Sequence, residues 1–353
     1  MRKILAFLVL VPTLAFVLNS CETVFYASAQ TTASPIAHTV EVISPPIVGT
    51  NVPGKSLTEK LVWLQRNAES HNTYIIEVSA NENIAPNKIQ YNGAINITVV
   101  IRGDTINRTI RLSNNGTMFT ISSDVTFILD KNITIAGHNQ NTNSMINVDG
   151  GIFIMNGGAT ITGNSTNSKG GGVNITSGKF EMTGGTISGN KANIGGGVNI
   201  DSRGSFEMIG GIISSNTASN GGGVYWKDPV GKALFLMKGG TISNNTAKSR
   251  GGGIYANYGT FTMNGGTITG NTAGEYGGGI YFDYVGFKKT GGIITGYNSD
   301  QNNGNTVKDQ EGIIARRGHA VYFDGSFRGV YRKETTAGPR INLDWTDKAN
   351  WDE

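Results

Sequence analysis

The chain repeats itself about every 26 residues, and that period limits what it can fold into. The Gly-Gly doublet that begins at Gly157 returns at Gly184, Gly210, Gly239, Gly265 and Gly291, in steps of 27, 26, 29, 26 and 26. The triplet that begins at Gly170 returns at Gly195, Gly221, Gly251 and Gly277, in steps of 25, 26, 30 and 26. A fixed period between roughly 20 and 50 residues is the signature of stacked supersecondary units, a solenoid, rather than of a compact globule. The 51 glycines among 353 residues are the punctuation of that repeat.

Residues 251–273 display one unit. Phe261-Thr262-Met263, Thr267-Ile268-Thr269 and Gly279-Ile280-Tyr281 are three apolar beats that alternate with a period of two. Each reads as a short strand with one face in and one face out. Glycine between them breaks any helical run. Such strands stack at constant period into an all-β, right-handed parallel β-helix with three short strands per coil, equivalent strands lying about 4.8 Å apart.

Superposing the coils predicts the interior. Phe153, Phe180, Phe206, Phe235, Phe261 and Phe287 form one column, and Met155, Met182, Met208, Met237 and Met263 a second. Ile161, Ile187, Ile213, Ile242, Ile268 and Ile294 form the third; Val173, Val198, Val224, Ile254, Ile280 and Val321 form the fourth. Asn164, Asn190, Asn216, Asn245 and Asn271 recur just after the middle strand, where stacked amides can bond coil to coil.

These GG-[TI]-I-x-x-N units, alternating with GGG-[VI]-Y, resemble the repeat arrays of bacterial surface proteins with the pectin-lyase-like fold. They are similar in style to polymorphic outer-membrane-protein repeats. The resemblance is strong over 150–296 and looser over about 73–330. It implies the fold, and it admits adhesins as well as polysaccharide-degrading enzymes, because a fold does not set a function.

Residues 1–21 begin with Arg2 and Lys3 and continue in an apolar run from Ile4 to about Leu18, the pattern of an export signal. Leu18-Asn19-Ser20-Cys21 resembles a lipobox with Cys21 as the lipidated residue, although Asn19 is unusual in its middle. Ala27-Ser28-Ala29 offers an alternative cleavage site, which would leave the protein secreted or periplasmic. The single cysteine cannot form an internal disulfide, which favours lipidation. The expected location is therefore the cell surface or outer membrane, lipid-anchored.

Residues 22–55 hold four of the eight prolines and read as a tether or an extended lead-in strand. Residues 56–72 are expected to form a helix over their first part: Ser56 and Glu59 make a capping box, and Leu57, Leu61, Leu64 and Ala68 share a face. Such a helix would close the open first coil. Coils over 73–150 are irregular but in phase, since Phe127 to Phe153 and Ile135 to Ile161 are both 26 residues apart, which puts His138 in the Asn164 column. The β-helix is expected to run to 330, with a polar insertion near 297–310 and a charged tail over 331–353.

Charged residues are only 15% and the net charge is +4, with no basic stripe interleaved with aromatics, so nucleic acid is not an expected partner. His38, His71, His138 and His319 are too scattered for a metal cluster, and no phosphate-binding loop is present, so no metal or cofactor is expected. The one carboxylate constellation is Asp283 with Asp324, which superpose in the last coils near His319, Arg316 and Arg317; it is the weak candidate for a lyase or glycosidase site. Tyr225, Tyr255, Tyr281 and Tyr322 are expected to point outward, preceded by Asn174 and Asn199, and to stack on sugar rings or a flat protein partner. A Thr/Ser array (Thr160/Thr162, Thr186/Ser188, Thr241/Ser243, Thr267/Thr269), interrupted by Ile212 and Ile293, is a minor ice-binding alternative. The sequence thus favours an exported, non-enzymatic, monomeric binding protein for a glycan or a host or matrix protein.

Overall fold

The computed structural model describes residues 46–91, 93–230, 233–297, 300–308, 312, 318–324 and 331–332. These residues form a parallel β-helix of about nine turns. Every pairing between named strands is parallel, and the core columns lie in the register that the repeat predicts. Val224 lies against Ile254, Ile254 against Ile280 and Ile280 against Val321, while Phe235 lies against Phe261 and Phe261 against Phe287. The irregular first coils are also in phase, with Phe127 opposite Phe153 and Ile135 opposite Ile161.

All four predicted columns are buried in one continuous core. Successive phenylalanine rings stack on one another, Phe153 on Phe180 at 4.8 Å, Phe180 on Phe206 at 4.8 Å and Phe206 on Phe235 at 5.1 Å. The rung spacing of a sheet matches the thickness of an aromatic pair. One residue type in register therefore gains burial of roughly 1.5–3 kcal/mol per ring and stacking of about 0.5–1.5 kcal/mol more. The methionine and glycine columns depend on each other. Gly240 has φ +79°, and a Cβ there would lie 2.6 Å from Met208 Cε of the preceding coil. Gly222, in the middle of a triplet, would set a Cβ 2.5 Å from the carbonyl oxygen of Gly252. The glycines are thus needed where coils approach most closely.

The strands divide among three sheets in a way that their spacing alone does not show. The third beat of one coil and the first beat of the next belong to one bent sheet of 17 strands, sometimes without a break, as in Val173–Met182. The middle beats form a second sheet of 9 strands. A third sheet of 4 strands runs along Thr217–Asn220, Thr246–Arg250, Thr272–Ala273 and Thr306–Val307. It follows the asparagine column, where Ala218, Ala247, Ala273 and Val307 are buried in a row. Alanine carries too little apolar signal to be read as a strand residue from the sequence.

Asparagine forms a ladder through the interior of the corner. Asn245 donates from its backbone N and from Nδ2 to Asn271 Oδ1, and again from Nδ2 to the Ile213 carbonyl of the preceding coil. Its own Oδ1 accepts from the backbone N and Nδ2 of Asn216. Both amide hydrogens and both acceptor positions are therefore used. The same pattern extends to Asn305, which lies in the region read as an insertion. Asn271 to Asn305 is 34 residues where 26 is usual, and Gly279 to Ala320 is 41. The extra 15 residues thus divide into 8 before the retained rung at Asn305 and 7 after it. At the other end, the amide that meets Asn164 Oδ1 belongs to Asn141 and not to His138. The backbone of His138 keeps the predicted register, its carbonyl accepting from Ser165 N, but its side chain does not hold that rung of the ladder.

The first coil is closed by the helix Leu57–Asn67, with Leu57, Leu61 and Leu64 buried and Ala68 half-buried against the core. Ser56 Oγ accepts from Glu59 N as the capping box requires, but Glu59 returns to Lys55 N rather than to Ser56. The Glu82 carboxylate of the first coil accepts from Leu57 N at 2.8 and 2.9 Å, tying the helix N-terminus to the stack. Thr50–Asn51, within the segment read as a tether, pairs with Tyr74 and Ile75. Tyr331–Arg332 pairs with Lys288 and Lys289, so the solenoid continues into the segment read as a tail. The export signal and Cys21 lie outside the described residues.

Candidate functional site

The tyrosines occupy one column on the outer side of the largest sheet, in register from Asn147 through Asn174, Asn199, Tyr225, Tyr255 and Tyr281 to Tyr322. The asparagines bond in series, Asn199 Nδ2 to Asn174 Oδ1 and Asn174 Nδ2 to Asn147 Oδ1, each at 2.8 Å. The rings stack face to face, at 4.8 Å for Tyr225 and Tyr255, 5.0 Å for Tyr255 and Tyr281, and 5.6 Å for Tyr281 and Tyr322.

That geometry corrects the expectation of exposed rings. Tyr281 has 0% exposure and the other three are half-buried. A column of planar rings at rung spacing covers its own faces, so no face inside the column is left for a sugar. Tyr276 lies over Tyr322 at 4.5 Å, and the Arg250 guanidinium sits over Tyr276 and Tyr281, 5.8 and 5.2 Å from their centroids. Arg250 also donates to Tyr281 Oη at 3.2 Å.

Asp283 and Asp324 are in register as predicted, but each carboxylate has its own donor. Asn257 Nδ2 donates to Asp283, and Tyr281 Oη donates to Asp324. His319 is buried, and its Nδ1 accepts from Val307 N at 2.9 Å, fixing the last corner beside the Tyr297 ring. Arg316 and Arg317 lie outside the described residues. Among the described residues no group of three His, Cys, Asp or Glu side chains is placed to hold a metal. The Thr/Ser array is in register on the middle sheet, with Ile212 and Ile293 exposed within it.

Burial pushes the Tyr225 phenol up to about 12, aided by the neighbouring Tyr255, Asp201 and Asp283 charges. Tyr255 and Tyr281 are raised as well, both by burial first, then by Asp283 for Tyr255 and by the Asp324 hydrogen bond for Tyr281. A phenol whose folded value lies above the unfolded value of 10.0 stabilises the fold fully below that value, and the contribution is lost as pH rises through the folded value. Melting temperature is therefore expected to fall from about pH 10 upward, and less steeply in Tyr281→Phe. Circular dichroism alongside tyrosinate absorbance checks this; melting that does not change through the tyrosine titration would refute the stacked, desolvated column.

The aromatic residues that do face solvent are ones the strand pattern did not single out. Tyr258 and Tyr284 are 42% and 54% exposed and stack on each other at 5.6 Å. They follow Asn257 and Asp283 at a turn, with φ of 61° and 53°. The equivalent position, three residues before the phenylalanine column, holds Asp124 and Gly150 at positive φ in two earlier coils, and Ser177 and Arg203 without it in the next two.

No family model matches this chain, and no curated protein or solved structure matches it either. What is shown is the fold. The likeness to pectin-lyase-like and polymorphic repeat proteins rests on the repeat motifs alone.

Proposed function

We propose that this chain is a non-catalytic binding module of the cell exterior, and that Tyr258 and Tyr284 form the centre of its contact surface. The observation that carries the reading is that two successive coils place an exposed tyrosine in left-handed backbone. Such a conformation costs a non-glycine residue on the order of 1 kcal/mol, and the exposed ring gains little from burial. The stack between the two rings offsets part of that cost. Recognition accounts for the remainder, since strained residues concentrate where a contact is preorganised.

Tyr276, 37% exposed and stacked on Tyr322, adds a further aromatic surface on the same coils. Rigid coils thus hold aromatic edges and phenol groups in a row that suits a glycan or an extended protein segment. Export and anchoring through Cys21 belong to the same proposal on the leader sequence. The alternative of a polysaccharide lyase or glycosidase rests on Asp283 and Asp324, and their separate hydrogen bonds do not favour it.

The test is the double variant Tyr258→Asn and Tyr284→Asn. Asparagine tolerates left-handed backbone, so melting should stay within about 1 kcal/mol of the parent. Attachment to cells, glycan arrays and matrix proteins should weaken at least tenfold, each ring contributing on the order of 1 kcal/mol. Attachment equal to that of the parent would remove the proposed surface. Tyr281→Ser is unsuited to this purpose, because Tyr281 is fully buried and its loss would damage the stack itself.

A further inference from the structure

Near the opposite end of the solenoid lies an open cleft of about 400 Å³, lined by Lys88, Gln90, Tyr91, Ser122, Asp124 and Asp149 together with residues 93–95. It has a simple origin. Ile89 and Ile97 are 8 residues apart, whereas their partners Ile121 and Val125 in the next coil are only 4 apart. The two neighbouring turns thus differ in length by four residues, and residues of both line the cleft. Ile95 and its neighbours are held in place by hydrogen bonds from His71 N to the Ile95 carbonyl and from Ile95 N to Ser70 Oγ. Asp149 stands on the third coil, in register with Ser122.

Two side chains of the lining are unusual. Tyr91 is 5% exposed and Ser122 is 8% exposed, and neither hydroxyl oxygen has a hydrogen-bond partner. A buried hydroxyl left unpaired works against folding, and native structures keep few of them. Here two occur together in the lining of one cavity. Both oxygens are closed to solvent, so a ligand in the cleft reaches them only by displacing neighbouring side chains, and Lys88 and Gln90 of the same lining are exposed.

We infer that this cleft binds a neutral, hydroxyl-rich ligand on the order of one or two sugar rings in size, with Tyr91 and Ser122 as its buried contacts. Both hydroxyls can donate and accept, which is the capacity a polyol matches. Burial also pushes the Tyr91 phenol upward, so it keeps its proton at ordinary pH. Asp124 and Asp149 provide exposed acceptors for further ligand hydroxyls. Two carboxylates against one ammonium disfavour an acidic sugar, and a divalent cation lacks a third protein carboxylate or imidazole among the described residues. The cleft does not share residues with the tyrosine ledge, so the two proposals stand or fall separately.

The experiment is thermal melting and saturation-transfer NMR of the full chain with millimolar glucose, galactose, mannose, N-acetylglucosamine and their disaccharides. Galacturonate and calcium chloride serve as comparison probes. At least one neutral sugar should raise the melting temperature and show saturation transfer, with galacturonate and calcium weaker. Tyr91→Phe and Ser122→Ala should each weaken that binding about five- to tenfold while leaving ligand-free melting unchanged or higher, because each removes an unpaired buried oxygen. The inference is overturned if no neutral sugar binds, if galacturonate or calcium binds better, if both variants bind like the parent, or if ligand-free melting of either variant drops.

Discussion

Ile242→Asp is expected to unfold the coils around it, at a cost of at least about 4 kcal/mol. Ile242 is fully buried between Ile213 and Ile268 of the neighbouring coils, with no polar side chain in its column to pair with a carboxylate. The change forfeits the burial of a large aliphatic side chain and adds desolvation of a charged one. Burial also raises the pKa of the new carboxyl. The penalty is therefore smallest below the unfolded carboxyl value of about 4 and grows as pH rises through it, so the variant should regain stability on acidification relative to the parent. Thr241→Asp, one residue away and half-exposed on the other face, should cost less than about 1 kcal/mol. Parallel melts of the two variants decide the matter: equal losses would mean that the assignment of inner and outer faces is wrong. Because a solenoid is stabilised largely by nearest-neighbour contacts, the loss should appear first as protease sensitivity near residue 242, with distant coils retained.

Asn245→Leu should be nearly as damaging, at about 3–6 kcal/mol, although it exchanges a polar residue for an apolar one of similar size in a buried place. Its cost arises in the neighbours. Asn216 would lose the acceptor for its backbone N–H and for its Nδ2, and the Ile213 carbonyl would lose its donor. Three buried polar groups at roughly 1–3 kcal/mol each would sum to about 3–9 kcal/mol, and the upper end falls because Asn216 Nδ2 keeps its bond to the Ile187 carbonyl. Ser243→Ala, two residues earlier and half-exposed, should change stability by no more than about 0.5 kcal/mol. Denaturant titration of the pair is the measurement. If Asn245→Leu unfolds together with Ser243→Ala, the ladder is a passive feature of the corner rather than a support for it.

The core columns were legible because each is one residue type at one period, and register in a parallel stack fixes the rest. Phe153 to Phe287 needed only the subtraction of residue numbers. The asparagine ladder was legible in part. Asn164 to Asn271 repeat, but Asn305 is hidden by 8 inserted residues, and Asn141 rather than the in-phase His138 supplies the amide to Asn164, a substitution that spacing alone does not encode. The strand of Thr246–Arg250 was missed because an alanine column signals burial only weakly.

For the candidate sites the outcome was mixed. Alternation correctly placed Tyr225, Tyr255, Tyr281 and Tyr322 on the face away from the core. Side is not exposure, however, and rings one rung apart bury one another. Asp283 and Asp324 were rightly predicted to be neighbours, while their engagement by Asn257 and Tyr281 depends on side-chain direction that spacing does not encode.

By itself, then, the sequence determined the period, the parallel register, the inner and outer face of each regular strand and the helix that closes the first coil. All of these follow from local alternation and repetition, which are properties of the chain alone. Only the tertiary structure decided which outward side chains meet solvent and where a cleft opens. Those outcomes depend on residues a full coil apart in sequence, which touch only when one turn is laid on the next. The cleft between the 8-residue span that carries Tyr91 and the 4-residue span that carries Ser122 is set by the difference between two adjacent coils, which neither coil carries alone.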